Sequence, residues 1–470
     1  MDSKAFRKYG HELIDWIGDY YDQIEKYPVK SQVAPGEIFN KFEDSPPEAP
    51  QPFEETFQQF EERILPGITH WQHPNFHAFF PANTSFPSIL GEILTSGLAA
   101  QCMIWETSPA AAELEEKVMD WLKIAMSLPS QWSGVIQDTA STSTLAALLV
   151  AREKKTNFNV NDKGFDGSQY RVYCSSQTHS SIDKAVKIAG YGSENLVKVD
   201  VDETMAMDAS ALAAAIEDDI QNGKIPCAVV TTLGTTGTMG VDPLAAINDI
   251  CEKYEIWNHV DAAYAGNAFL LEEYQHYISD LKRANSYVFN PHKWLLVNFD
   301  CSVFFIKEKE LLLRTFEILP EYLKTGNRGK VNDYRDWGIP LGRRFRALKL
   351  WMVIRSYGIS GLKEYLNNQM KLTKWLEIEM KNHPDFELVL ERQMNMLVFR
   401  YNPRKPISDL NSLNEELLQS INKSGEAFLS HTKVKDQYVI RLVLGQTLMQ
   451  KKHVEKVWNL IQQKASKILV

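Results

Sequence analysis

Three residues able to do covalent or proton chemistry stand where short apolar runs give way to small residues or helix starts. Asp261 closes the run IWNHVD (256–261) and is followed by Ala262 and Ala263. Lys293 comes after SYVFN (286–290) through Pro291 and His292, with the apolar run WLLV behind it. His179 and Ser180 lie between YRVYCS (170–175) and the helical stretch SIDKAVKIAG. Two more runs end in hydroxyls: GVIQD leads into Ala140, Ser141 and Thr142, and VVTTLG into Thr235 and Thr236. A lysine amine can condense with an aldehyde. A carboxylate at the end of an apolar run must be paired or it protonates. Hydroxyls and amides at a helix start can hold a phosphate. Singly, each has an ordinary reading: a surface lysine, a helix-capping aspartate, a hydrogen-bonded histidine, turn threonines. GTTGTMG (234–240) fits neither the dinucleotide nor the Walker glycine pattern.

The elements that must position these residues give them a common place. From about residue 86, short β-branched runs alternate with helical stretches of about a dozen residues, which predicts a largely parallel sheet covered on both faces. Ligands of open α/β sheets bind at the carboxyl ends of the strands. There the chain offers a lysine, a carboxylate able to face a pyridinium nitrogen, and a phosphate cradle: the requirements of a pyridoxal 5′-phosphate site. Upstream, residues 4–27 read as an amphipathic helix that must pack on the body or on a second subunit, and SPPEAPQP (45–52) cannot continue it. Downstream, a helix over 361–381, four strand-like runs and a terminal helix predict a smaller α+β domain. The expected division is an N-terminal arm over 1–85, a large domain over 86–360 and a small domain over 361–470.

Composition narrows the class. With 470 residues, 44% hydrophobic and 24% charged, the chain is an ordinary globular protein of two or three domains. A net charge of −9 without a basic patch argues against a nucleic-acid binder. Five dispersed cysteines without a Cys-x-x-Cys pair argue against a disulfide framework and a zinc knuckle. The opening residues read as neither signal peptide nor membrane span, so a cytoplasmic enzyme is expected. His70, His73 and His77 do not make a metal site, because Pro74 interrupts their spacing and no carboxylate or cysteine joins them. Asn83-Thr84-Ser85 is a chance glycosylation sequon.

NPHKWLLVNFDCS (290–302), HVDAAYAGNAF (259–269), GVIQDTASTSTL (134–145) and DWGIPLGRRFRALKLW (336–351) together resemble the group II pyridoxal-phosphate decarboxylases, in particular their aromatic-L-amino-acid decarboxylase branch. HWQHPNFHAFFP (70–81), SPAAAELEEKVMDWL (108–122) and the opening FRKYGHELIDWIGDYY extend the likeness over nearly the whole chain. The resemblance implies fold type I, the aspartate aminotransferase-like α/β architecture, and a homodimer with active sites at the interface and the arm wrapping the partner. It implies that Lys293 bonds the cofactor aldehyde and Asp261 pairs its ring nitrogen. His179 and the Ala263 methyl would cover the two ring faces, and Thr236 would lie beside the ring. Ala140, Ser141, Asn290 and His292 would hold the phosphate. Tyr334, in VNDYRDW, matches the loop tyrosine taken to protonate Cα.

Trp71, Phe79, Phe80, Ala82 and Met103 fall in segments that shape the substrate pocket in that family, together with His179; Met103 would reach across from the partner. An aromatic and thioether lining suits a flat apolar side chain. The resemblance thus implies decarboxylation of an aromatic L-amino acid: tryptophan, DOPA, tyrosine or phenylalanine. Phe79, Ala82 and Met103 depart from the animal pattern of tyrosine, threonine and phenylalanine, and the first two remove hydroxyls a catechol would use. Gly358 matches the plant relatives that take indolic substrates. Related aldehyde synthases exchange the loop tyrosine for phenylalanine or the stacking histidine for asparagine, and Tyr334 and His179 are of the decarboxylase type. A silent scaffold of the same fold is the remaining alternative, and the intact set of Lys293, Asp261, His179 and Tyr334 speaks against it.

Overall fold

The computed structural model describes residues 1–318 and 329–468. A seven-stranded sheet is built from β1 (Ser133–Gln137), β2 (Tyr170–Ser175), β3 (Leu196–Val199), β4 (Ile225–Thr232), β5 (Trp257–Asp261), β6 (Ser286–Phe289) and β7 (Ser302–Ile306), in the order β1-β7-β6-β5-β4-β2-β3. All pairings are parallel except those of β7, which runs antiparallel to both neighbours. This is the mostly parallel α/β sheet expected. β3 and β7 are additions: LVKV is short and SVFFI is apolar throughout, so neither carries the alternation that marks a strand.

Both faces are covered, and period-two alternation assigns residues to them. Val172 and Cys174 of β2 and Ala228 and Val230 of β4 join a core with Ala147, Leu148, Ile182 and Val186 of the helices Ala140–Lys155 and Ser181–Ile188. Tyr173 and Val229, pointing the other way, pack with Leu212, Ile216, Ile247 and Cys251 of Ala209–Gln221 and Leu244–Lys253. A second, four-stranded sheet contains β8 (Phe386–Leu388), β9 (Met396–Tyr401), β10 (Ser430–Val434) and β11 (Gln437–Val443), in the order β10-β11-β9-β8.

The chain divides into two compact units, one of residues 1–81, 378–389 and 399–470, the other of 82–377 and 390–398. The smaller unit joins most of the arm segment to most of the C-terminal residues, while residues 390–398 belong to the larger. Backbone bonds explain the sharing: Val29 N–H donates to Gly425 O (2.7 Å) and His77 N–H to Phe428 O (2.8 Å). The arm's first helix, Ser3–Asp22, is capped by Asp2, whose carboxylate accepts from the amides of Lys4 and Ala5, yet buries no residue. Its Trp16 meets Phe57 and Phe60 edge-on.

Within the larger unit a buried ion pair locks β1 to the segment after Tyr334. Glu115, on the helix Pro109–Ala125, accepts from Ile136 N–H (2.8 Å) and from Arg343 Nη2 (2.7 Å), which also donates to Ile136 O at 2.7 Å. Both side chains are nearly inaccessible, at 6% and 4%. Glu115→Ala would strand a buried guanidinium and a backbone amide, so stability should fall by about 3 kcal/mol or more. Urea unfolding should show a lower midpoint at unchanged slope; a loss below about 1 kcal/mol would mean that water replaces the carboxylate.

Candidate active site

The strand ends deliver the sequence-selected residues to one place. Asp261 is the last residue of β5, in register with Thr232 of β4 and Val288 of β6. It is 5% exposed, and its Oδ1 accepts from Ala263 N–H at 2.9 Å. Ala263 O in turn accepts from Asn290 N–H (2.9 Å), linking the end of β5 to the turn after β6. Asn290 precedes the short helix Pro291–Trp294, whose proline suits the first helical position. That turn carries Lys293, whose own N–H donates to Asn290 O at 3.0 Å and whose carbonyl accepts from Asn83 N–H at 3.3 Å. Asn83 thereby brings Ala82 alongside. Beneath, buried Trp294 stacks on Tyr264 at 4.8 Å and 10°, and its indole N–H donates to Gln369. Leu296 adopts φ 61°, rare for a branched residue, and Ser85 Oγ donates to its carbonyl at 2.7 Å.

The electrostatics agree with this grouping. Burial holds the Lys293 ammonium below its usual pKa, and Asp261 opposes the shift. Desolvation and then Lys293 hold His179 down, with Asp261 again opposing. Asp261 therefore acts on both Lys293 and His179, and Lys293 acts on His179. Burial pushes His292 down to about 3; its Nδ1 accepts from Cys301 N–H at 2.8 Å, so the neutral ring carries its proton on Nε2 as a donor. Asp300 beside it is gripped by Arg346 at 2.9 and 3.2 Å.

The phosphate-side residues have the character expected. Ala140 opens the sixteen-residue helix after β1, capped by Thr139 and free of acidic residues in its first turn, with Ser141 exposed at its start. Thr236 is partly buried in the turn after β4, where Thr235 Oγ accepts from Gly240 N–H at 2.9 Å. An amine, a buried carboxylate, an uncharged His292 donor and an open helix start fit pyridoxal phosphate.

Tyr334 lies elsewhere. It is 3% exposed, packed 5.2 Å from Trp337 with the Arg343 guanidinium 4.8 Å over its ring. Met103 shares this place, its carbonyl accepting from Arg335 N–H at 2.8 Å. Trp71, Phe79 and Phe80 belong to the smaller unit. There Trp71 stacks on Phe79 (6.0 Å, 18°) and touches Phe76 (4.4 Å), while buried Phe80 lies under Arg441. His70, His73 and His77 have separate partners in the Tyr20 hydroxyl, the Asn75 amide and Val443 O. Gly358 breaks the long helix Arg346–Asn382 at φ 63°, ψ 169°, a conformation close to glycine-only, so the backbone alone accounts for it. Ser181, Cys301 and Asn83 are site residues not expected from the sequence; only the His-x-Ser spacing at a helix start could have signalled the first.

A family model, the pyridoxal-dependent decarboxylase conserved domain, matches residues 35–402. The chain is 42% identical, over its whole length and 97% of the relative, to a phenylacetaldehyde synthase of Arabidopsis thaliana. It is 39% identical, over its whole length and 95% of the relative, to tryptophan decarboxylase 2 of Oryza sativa subsp. japonica. The structure superposes on Catharanthus roseus tryptophan decarboxylase in complex with L-tryptophan with a TM-score of 0.94 at 36% identity, covering 100% of this chain and 99% of that one.

Proposed function

Because the chain belongs to the pyridoxal-dependent decarboxylase family, we propose that it removes the α-carboxylate of an aromatic L-amino acid, releasing the amine and carbon dioxide. The observation that carries this is the placing of Lys293, Asp261 and His179 at or beyond the carboxyl ends of β6, β5 and β2, with Asp261 acting on the charge of the other two. Bound there, pyridoxal phosphate supplies an electron sink for the pair left on Cα when carbon dioxide departs. Lys293, its amine eased toward the neutral form by burial, holds the cofactor's aldehyde carbon. Asp261 keeps a proton on the ring nitrogen. Asn290, His292, Ala140 and Ser141 hold the phosphate, and Thr236, Ala263 and His179 complete the enclosure. His179 would also orient the substrate's α-carboxylate.

Trp71, Phe79, Phe80, Ala82 and Met103 we assign to the substrate side chain. Their apolar character, with no hydroxyl among them, favours an indole or phenyl ring over a catechol. Relatives with synthase and decarboxylase activities are both similar to this chain; Tyr334 and His179 favour decarboxylation. Tyr334 and Met103, neighbours through the Arg335 N–H to Met103 O bond, we assign to the site of a second subunit. The arm helix, none of whose residues is fully buried, and the exposed stripe Phe86, Leu90, Ile93, Leu94 and Leu98 on the helix Phe86–Leu98 are candidates for the apolar surface of such a homodimer. Five cysteines without a disulfide suit a cytoplasmic setting.

The test is a competition assay of holoenzyme with tryptophan, DOPA, tyrosine and phenylalanine, read as kcat/KM ratios. Expected is one amine per carbon dioxide without hydrogen peroxide. Peroxide and ammonia in step with carbon dioxide would instead make the protein an aldehyde synthase.

A further inference from the structure

Ser181 stands two residues beyond His179, in the first turn of the helix Ser181–Ile188. Its amide N–H donates to His179 Nδ1 over 3.1 Å, and its hydroxyl lies 2.8 Å from the same nitrogen. The hydroxyl can turn either way; the amide can only donate. Nδ1 must therefore offer its lone pair, and the neutral ring's one proton sits on Nε2, the opposite edge. The imidazole caps that helix start, where a positive charge is disfavoured. The charged groups facing the ring are Lys293, from the turn after β6, and Asp261, from the end of β5.

We propose that Ser181 is a positioning residue: its amide fixes His179 as the neutral Nε2–H tautomer and its hydroxyl holds the ring in place, so that the ring offers one uncharged donor to the substrate's α-carboxylate. The inference rests on the decarboxylase reading and adds the reason for a neutral histidine. Negative charge leaves the carboxylate as its bond to Cα breaks. A cation held against it would stabilise the starting state more than the transition state, whereas an uncharged donor orients the group with less of that bias. Protonation at Nδ1 would also set its new N–H against the Ser181 amide and leave the Ser181 hydroxyl as the acceptor at hand.

The experiment compares Ser181→Ala, which keeps the amide and loses the hydroxyl, with Ser181→Thr, which keeps both. Ser181 is partly exposed, so truncation opens no core cavity. Deuterium exchange at the His179 C2 position is followed against pH in holoenzyme by mass spectrometry of the tryptic peptide 172–184, in which His179 is the only histidine. In Ser181→Ala the imidazolium loses its acceptor while the neutral ring keeps the amide. Charge-assisted hydrogen bonds being about twice as strong as neutral ones, the exchange midpoint moves to lower pH. The acid limb of kcat/KM moves the same way and its plateau falls roughly tenfold; Ser181→Thr restores all three. An unmoved or raised midpoint in Ser181→Ala overturns the proposal, including when activity falls, since lost packing alone would do that. A shifted midpoint in a protein that yields no amine would leave the Ser181–His179 coupling standing and remove the decarboxylase reading.

Discussion

Lys293→Ala should fold normally, retain cofactor weakly if at all after gel filtration, and decarboxylate roughly a thousandfold more slowly or worse. Folding is expected because the contacts of this turn that hold its shape are main-chain or belong to neighbours: Lys293 N–H to Asn290 O, Asn83 N–H to the Lys293 carbonyl, and the Trp294–Tyr264 stack. None needs the amine. Lys293→Arg should fare no better, because a guanidinium stays protonated at any working pH and cannot attack an aldehyde. Absorbance of the desalted protein and single-turnover rates with tryptophan or tyrosine decide the matter. A Lys293→Ala rate within tenfold of wild type would remove the lysine from the chemistry.

Asp261→Asn separates charge from shape. The amide oxygen can still accept from Ala263 N–H, so the end of β5 should keep its geometry. What disappears is the negative charge that holds a proton on the cofactor's ring nitrogen. Each pKa unit of that support is worth about 1.4 kcal/mol, a factor of ten in rate, so a loss of roughly a thousandfold in kcat is expected with cofactor still bound. A second signature follows from linkage. Asp261 raises the pKa of both Lys293 and His179, so both should titrate at lower pH in the variant. The pH-dependence of the cofactor's absorbance, with its midpoint displaced downward, reads the lysine directly. Wild-type kcat with an unmoved midpoint would show that the carboxylate only braces the strand end.

Much of this was legible in the sequence for a physical reason. Strands whose apolar runs stop at Asp261, Asn290 and Ser175 announce their ends, and an α/β sheet gathers such ends. Lys293, Asp261 and His179 accordingly stand at or beyond the carboxyl ends of β6, β5 and β2. β3 and β7 were not legible, being too short or too uniformly apolar to show a period. Nor was the sharing of one unit by the arm and the C-terminal strands, which depends on main-chain bonds such as Val29 to Gly425 that leave no side-chain signature. The same holds for the partners that set the two histidine tautomers, the amides of Ser181 and Cys301. Tyr334 was recognisable by its motif, but its burial beside Arg343 and Trp337 was not. Gly358, read from the resemblance as a substrate marker, has a backbone reason of its own.

The covalent assignment is open to one direct measurement. Holoenzyme reduced with tritiated borohydride and digested with trypsin should carry the label on a single peptide running from 284 to 307, because cleavage after a modified Lys293 is blocked. Label on any other lysine peptide, or a protein that takes up none, would contradict the assignment of Lys293 as the residue that holds the cofactor.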